Sequence, residues 1–305
     1  MKKIFSVVML FGALAVSAQE TPATAAQSAR HVRPAEPATY ADLNCAGFVT
    51  REAIPKNNTV VAGFDTPSEV LYAQKETVFL SGGGYEEGKN YAVVRELRDL
   101  NEYELFPGQF KAIKTMGQPY ADIGHVKVTA IRGSIAVAQI EFSCENMTMG
   151  DIVVPLGERP EVIMPPPSST RFPTPGTSDL TARIVLARDF DSQIGYRNAV
   201  YINAGSGQGV KVGDHFRAMR SYDPKRIDPV DAISYGYNDV YDDTQKNFKP
   251  TFPLFNHHSQ EAQLPSRMVG ELVVVSVTPT SSTLLVSNAL ETLDLGDMVE
   301  RVKAQ

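Results

Sequence analysis

Apolar and polar residues alternate along this chain in short runs, and one arrangement of such runs occurs twice. Residues 124–154 (GHVKVTAIRGSIAVAQIEFSCENMTMGDIVV) align without a gap on residues 270–300 (GELVVVSVTPTSSTLLVSNALETLDLGDMVE). Each copy opens with an alternating run, 126–131 or 272–277. A polar break follows, Arg132-Gly133-Ser134 or Thr278-Pro279-Thr280, and then a second β-rich run, 135–142 or 282–287. Two period-two runs across a Gly or Pro break predict a β-hairpin. Both copies close on Gly-Asp and an apolar pair: Gly150-Asp151 with Ile152-Val153, and Gly296-Asp297 with Met298-Val299. Glycine suits a tight turn with positive φ, and Asp can bond the turn backbone.

A second shared segment precedes each hairpin. Val78-Phe79-Leu80, a Gly-rich turn and Tyr91-Ala92-Val93-Val94-Arg95 match Val200-Tyr201-Ile202, a turn and Phe216-Arg217-Ala218-Met219-Arg220. An opening strand is expected at Gly47-Phe48-Val49 in the first copy and at Arg183-Ile184-Val185-Leu186 in the second. Each unit then has about five or six short strands, enough to close a small barrel with few bare edges. The predicted fold is all-β: two small tandem β-barrel units joined by a Pro-rich linker, with little helix.

The expected organisation is a signal peptide at 1–18, a disordered tether at 19–41 and a first barrel unit at 42–158. A Pro-rich linker at 159–179 and a second barrel unit at 180–302 complete it. The first eighteen residues carry Lys2 and Lys3, an apolar run and the small-residue site Val16-Ser17-Ala18, the three parts of a secretory signal. That apolar run is too short for an ordinary membrane span, so no integral membrane segment is expected after cleavage. The tether is rich in Ala, Pro, Thr and Ser without an apolar period. The linker, with Pro165-Pro166-Pro167 at its centre, reads as an extended spacer. Residues 97–120 read as a crossover loop with room for a short helix.

The chain has 305 residues, 20 Pro, 22 Gly and no Trp, a composition suited to turn-rich β structure. Its formal charge is −6, and loss of Lys2 and Lys3 would make it −8. That balance argues against nucleic acid or an anionic lipid surface as partner. The two cysteines, Cys45 and Cys144, predict one disulfide in an oxidising compartment. A pair of buried thiols is the alternative, because Cys144 aligns with the apolar Leu290.

Motifs for chemistry are weak. Gly83 to Lys89 has the spacing of a phosphate-binding loop, but Asn90 stands where Ser or Thr is needed, and a strand pattern follows where a helix should begin. His257-His258 with Glu261 suggests a metal pair, yet adjacent residues of an extended segment face opposite ways. The Asp-rich run 228–243 lacks the spacing of a calcium loop. No Gly-x-Ser-x-Gly elbow occurs. No cofactor, metal or catalytic residue is therefore assigned, and no enzyme activity is expected, although a hydrolase with dispersed residues would escape such a reading.

The second unit departs from the first in an insert at 221–266. Long loops in small domains tend to carry function. Its Tyr235, Tyr237, Tyr241, Phe248, Phe252 and Phe255 are the candidate partner-binding residues, because loop aromatics give contact area at low entropy cost. The alternative is a loop folded over its own barrel.

The phrase Val200-Tyr201-Ile202-Asn203-Ala204-Gly205, continued by Gly209-Val210-Lys211-Val212-Gly213-Asp214, resembles the C-terminal barrel of the flagellar assembly protein T family. More distantly it is similar to the paired barrels of the rod-shape cell-wall scaffold family. The first unit departs from the pattern at Glu87-Gly88-Lys89, where the Val and the Asp are missing. The resemblance implies an exported, non-catalytic assembly or scaffold protein of the bacterial periplasm or cell surface. It would bind an envelope protein through the insert and barrel edges, or alternatively a cell-wall glycan through the insert's aromatics.

Overall fold

A computed structural model describes residues 34–66, 68–98, 103–168, 170–173, 178–220 and 265–302. The signal segment, most of the tether stretch and residues 221–264 of the insert lie outside the described residues.

The described chain begins with β1 (Glu36–Pro37), α1 (Tyr40–Asn44) and β2 (Phe48–Thr50). Then come β3 (Thr59–Gly63), β4 (Thr77–Ser81), β5 (Asn90–Glu96), α2 (Gln109–Met116), β6 (Gln118–Arg132), β7 (Ile135–Ser143) and β8 (Ile152–Pro155). A short β9 (Ile163–Met164) precedes β10 (Thr181–Ala187), β11 (Gln193–Ile194), β12 (Ala199–Ile202) and β13 (His215–Arg220). The chain closes with β14 (Arg267–Val277), β15 (Ser282–Ala289), β16 (Leu293–Asp294) and β17 (Met298–Arg301).

Two closed six-stranded barrels result. The first runs β3-β4-β7-β6-β5-β8 and returns to β3. The second runs β10-β12-β15-β14-β13-β17 and returns to β10. Place for place the topology is identical, and every pairing is antiparallel. Even the accessory contact repeats: Tyr72 bridges Met147 in the first barrel, as Ile194 of β11 pairs Leu293 of β16 in the second. Closure leaves no bare strand edge in either ring.

The alternation read in the sequence sets the inside of the first barrel. Val78 and Leu80 of β4, Val126 and Val128 of β6, and Ala138 and Ile140 of β7 fill it. Period two fails in the second barrel, where β12 and most of β15 are buried on both faces. Their outer faces lie under the first half of the chain.

Three features differ from the sequence expectation. The strand at Phe48–Thr50 is not the opening strand of a barrel; it is a seventh strand added to β6, and β3 opens the first barrel. Residues 34–41 of the tether stretch fold, with β1 paired to β9 and Thr39 capping α1 in a reciprocal box with Asp42; such a box satisfies two helix-end donors. The Pro-rich stretch is not a free spacer where it is described, because Val162 and Met164 pack into a buried cluster with Val273, Val275 and Leu285 of the second barrel.

Residues Cys45 and Cys144 form a disulfide, with Cα atoms 5.6 Å apart. The short helix expected between 97 and 120 is α2. It starts after Gly108 (φ 85°) and stops at Gly117. Gly117 has φ +120°, and a Cβ there would stand 2.2 Å from the Thr50 carbonyl oxygen, so only Gly lets the helix end against β2.

Candidate interaction surface

One arm, residues 36–50, lies in the seam between the barrels. Its α1 end is tied to the first barrel by the disulfide and by Tyr40, whose hydroxyl meets His125 Nδ1 at 2.9 Å. Phe48–Thr50 pairs with β6 of the first barrel as well, and the Gly47 N–H bonds Asp122, while the arm's carbonyls reach the second barrel. Tyr201 Oη donates to the Ala46 carbonyl at 2.9 Å, and Thr283 Oγ1 to the Gly47 carbonyl at 3.0 Å. The Val49 carbonyl accepts from Thr278 Oγ1 at 2.9 Å and Ser281 Oγ at 2.7 Å. Tyr201 and Thr283 sit at strand positions that alternation marks as outward, and Thr278 and Ser281 sit in the turn between β14 and β15. Tyr201, Ser281 and Thr283 are buried and Thr278 is partly buried, and the arm's carbonyls satisfy their hydroxyls, which removes the usual cost of burying a polar group.

Charges clamp the same arm. Arg197 bonds Asp42 at 2.6 Å and Glu36 at 3.4 Å, and Tyr196 donates to Glu36. Arg197 (φ 65°) and Asp189 (φ 61°) hold left-handed backbone without being Gly, a conformation that costs free energy and needs the surroundings to fix it. Beside them a cleft of about 350 Å³ opens between the barrels, walled by the disulfide, Asp42, Arg188 and Arg197. Each arginine already has carboxylates: Arg188 faces Glu145 at 3.7 Å and Asp189 at 3.3 Å. The cleft is thus charge-compensated.

The titratable groups shifted by burial lie elsewhere. Desolvation raises the Asp122 carboxyl, opposed by Arg159 at 3.0 Å and by the Gly47 N–H at 2.9 Å. Desolvation, with Arg159 nearby, holds His125 below the usual histidine range. Neither borders the cleft. Tyr85 is pushed up to about 12, mainly by burial and secondarily by Tyr91. Among the described residues no three His, Cys, Asp or Glu side chains are placed to hold a metal ion. Residues 83–89 form a turn into strand β5, not into a helix.

The insert leaves and re-enters at one guarded point. Arg220, the last residue of β13, and Arg267, the first of β14, are register partners. Both reach Glu291: Arg267 at 3.1 Å and Arg220 at 4.0 Å. Arg171 joins the same carboxylate at 3.1 Å. The Arg267 hydrogen bond first, and then the three positive charges, hold Glu291 below the usual carboxylate range. The six candidate aromatics, Tyr235, Tyr237, Tyr241, Phe248, Phe252 and Phe255, lie outside the described residues, as do His257, His258 and the Asp-rich run.

Sequence reasoning missed the arm and one exposed patch. Val70, Leu71 and Met149 are each more than half exposed at one end of the first barrel. Leu71 and Val70 precede Tyr72, and the antiparallel bridge of Tyr72 to Met147 runs them alongside Thr148 and Met149. The only available signal was an apolar pair at the end of a loop, with no period to mark it. No helix among the described residues is long and apolar enough to cross a membrane. The chain matches no protein-family model, and no curated protein matches it.

Proposed function

We propose that this is an exported, non-catalytic structural or interaction protein of the bacterial cell envelope, which binds a protein partner through the insert 221–266. The observation that carries this reading is that the second barrel closes without the insert. Strand β13 pairs with β14 from His215 to Arg220 and with β17 on its other side, so the ring is complete. A long segment that a closed barrel does not need for its ring is free to serve recognition. The disulfide supports the export half of the reading, since such bonds persist in oxidising compartments.

The test is deletion of residues 222–263 with a short Gly bridge. Intact and deleted proteins are compared in pull-downs from envelope extract, with the captured proteins identified, and in co-sedimentation with peptidoglycan. Loss of a specific protein from a deleted chain that still folds is the expected result. Loss of peptidoglycan sedimentation alone would replace the partner with a glycan. A deleted chain that cannot fold would make the insert part of the core and end this reading.

A further inference from the structure

The two barrels are built alike, yet equivalent ends of them are finished differently. In the first, the Gly150 N–H bonds the Val60 carbonyl at 2.8 Å; in the second, the Gly296 N–H bonds the Ile184 carbonyl at 2.8 Å. Met149 and Leu295 are therefore counterparts. Leu295 is 4% exposed and Met149 is 53% exposed. A Cβ on Gly296 would meet Phe106 at 3.1 Å, whereas one on Gly150 would meet nothing within 4 Å.

The cover over the second barrel comes from the connection between β5 and β6 of the first. Phe106 is buried there with Met116, and Leu105, Ala112 and Ile113 pack beside them. Gln109 Nε2 anchors this segment on the Val185 carbonyl at 3.0 Å. One barrel's connection thus caps the end of the next barrel. The matching connection in the second barrel, between β13 and β14, is the insert 221–266. It holds Phe252-Pro253, as the cap holds Phe106-Pro107. In an assembly of identical chains the open counterpart end is the first barrel of another copy, with Val70 and Leu71 adding exposed apolar surface there.

We propose that the insert of one copy docks on the first-barrel end of a second copy, with Phe252 taking over Gly150 and Met149 the place that Phe106 takes over Gly296 and Leu295. This rests on the reading of the insert as a protein-binding segment and names its partner. The contact joins two different surfaces, so it repeats head to tail instead of closing a symmetric dimer.

The test uses the full chain, disulfide intact, in sedimentation velocity from about 1 µM to about 1 mM, which spans weak interfaces. Average mass should rise with concentration. Met149→Glu, Val70→Glu and Phe252→Ala should each hold the chain at monomer mass, with unchanged melting showing that each folds. Met149→Glu keeps an intact insert and Phe252→Ala keeps an intact barrel end, so an equal mixture of the two should form one-to-one dimers and stop there. A wild type that stays monomeric throughout, self-association that none of the three variants changes, or intramolecular crosslinks from Phe252 to the same chain's first barrel would overturn the proposal. Wild-type monomer together with loss of an envelope protein on insert deletion would sink this inference and leave the proposed function standing. Monomer with no protein lost would sink both.

Discussion

Arg95 grips Asp151 through two parallel hydrogen bonds, Nε to Oδ1 at 2.7 Å and Nη2 to Oδ2 at 2.8 Å. Arg220 grips Asp297 in the same way, at 3.0 and 2.6 Å. Each carboxylate also accepts from the backbone three residues earlier: Thr148 N–H at 2.8 Å and Asp294 N–H at 2.9 Å. Each guanidinium reaches the carbonyl five residues before its Asp: Asn146 at 2.9 Å and Thr292 at 3.1 Å. The same knot thus holds the last turn of both barrels to the end of a neighbouring strand.

Removing one partner of this knot should be costly. Asp151 is nearly fully buried while Arg95 keeps a side-chain exposure of 30%, so solvent screens part of the pair. Arg95→Ala is expected to cost about 2–4 kcal/mol, most of it from the stranded carboxylate. Arg95→Ala with Asp151→Ala together should cost less than the sum of the singles. Urea midpoints of the four proteins check this, and a strictly additive result would show that the pair does not act as a unit.

The disulfide closes a loop with a sequence separation of 99. A crosslink of that span restricts the unfolded chain by about 4 kcal/mol. Cys45→Ser with Cys144→Ser should lower stability by that order. Because the arm it secures also lies in the seam, limited proteolysis of the reduced protein should begin between residues 36 and 50. Equal stability with and without reductant would contradict this.

Gly47 has φ +67°, and a Cβ there would stand 2.4 Å from Tyr201 Oη and 2.8 Å from the Tyr120 carbonyl oxygen. Gly47→Ala should therefore cost at least about 2 kcal/mol from strain and displaced contacts. Tyr201→Phe should cost about 1–2 kcal/mol, because it leaves the Ala46 carbonyl without its donor. Combining them should be less than additive, since the hydroxyl that clashes is gone. Thermal unfolding of the set gives the answer.

Stability should fall in mild acid. Burial lowers the pKa of His125 and of His215, whose Nδ1 has no hydrogen-bond partner among the described residues. A lowered folded-state pKa means that the unfolded chain binds more protons. Their contribution is then full above about pH 6.5, the ordinary value, and is lost as pH falls from there through the folded-state pKa values. Asp122, raised by burial, acts in the opposite sense from its ordinary 3.8 upward. Comparing urea midpoints of wild type and His125→Gln between pH 7.5 and 5.5 isolates the histidine, and the variant should show the flatter dependence.

Much of the barrel architecture was legible because it is local. The hairpin 126–142 declares itself by alternation across Arg132-Gly133-Ser134, and its copy at 272–287 does the same. The first strand was misplaced for an equally physical reason. Phe48-Val49 and Val60-Val61 are both short apolar runs, and nothing local tells a barrel strand from one added at its rim. The pairing of β3 with β4 and β8 decides it.

The sequence by itself determined two duplicated β units, the hairpins within them, the Gly-Asp turns that end them and the pair of cysteines available for a bond. Period-two burial and turn chemistry act over a few residues, so they can be read without a partner. The tertiary structure alone decided that the bond forms and that residues 36–50 lie across both barrels. It also decided that Ser281 and Thr283 are buried donors and that Leu295 is capped while Met149 is bare. Each of these depends on residues from distant parts of the chain meeting in space. Burial of one surface by another is a property of the pair, and neither sequence segment records it alone.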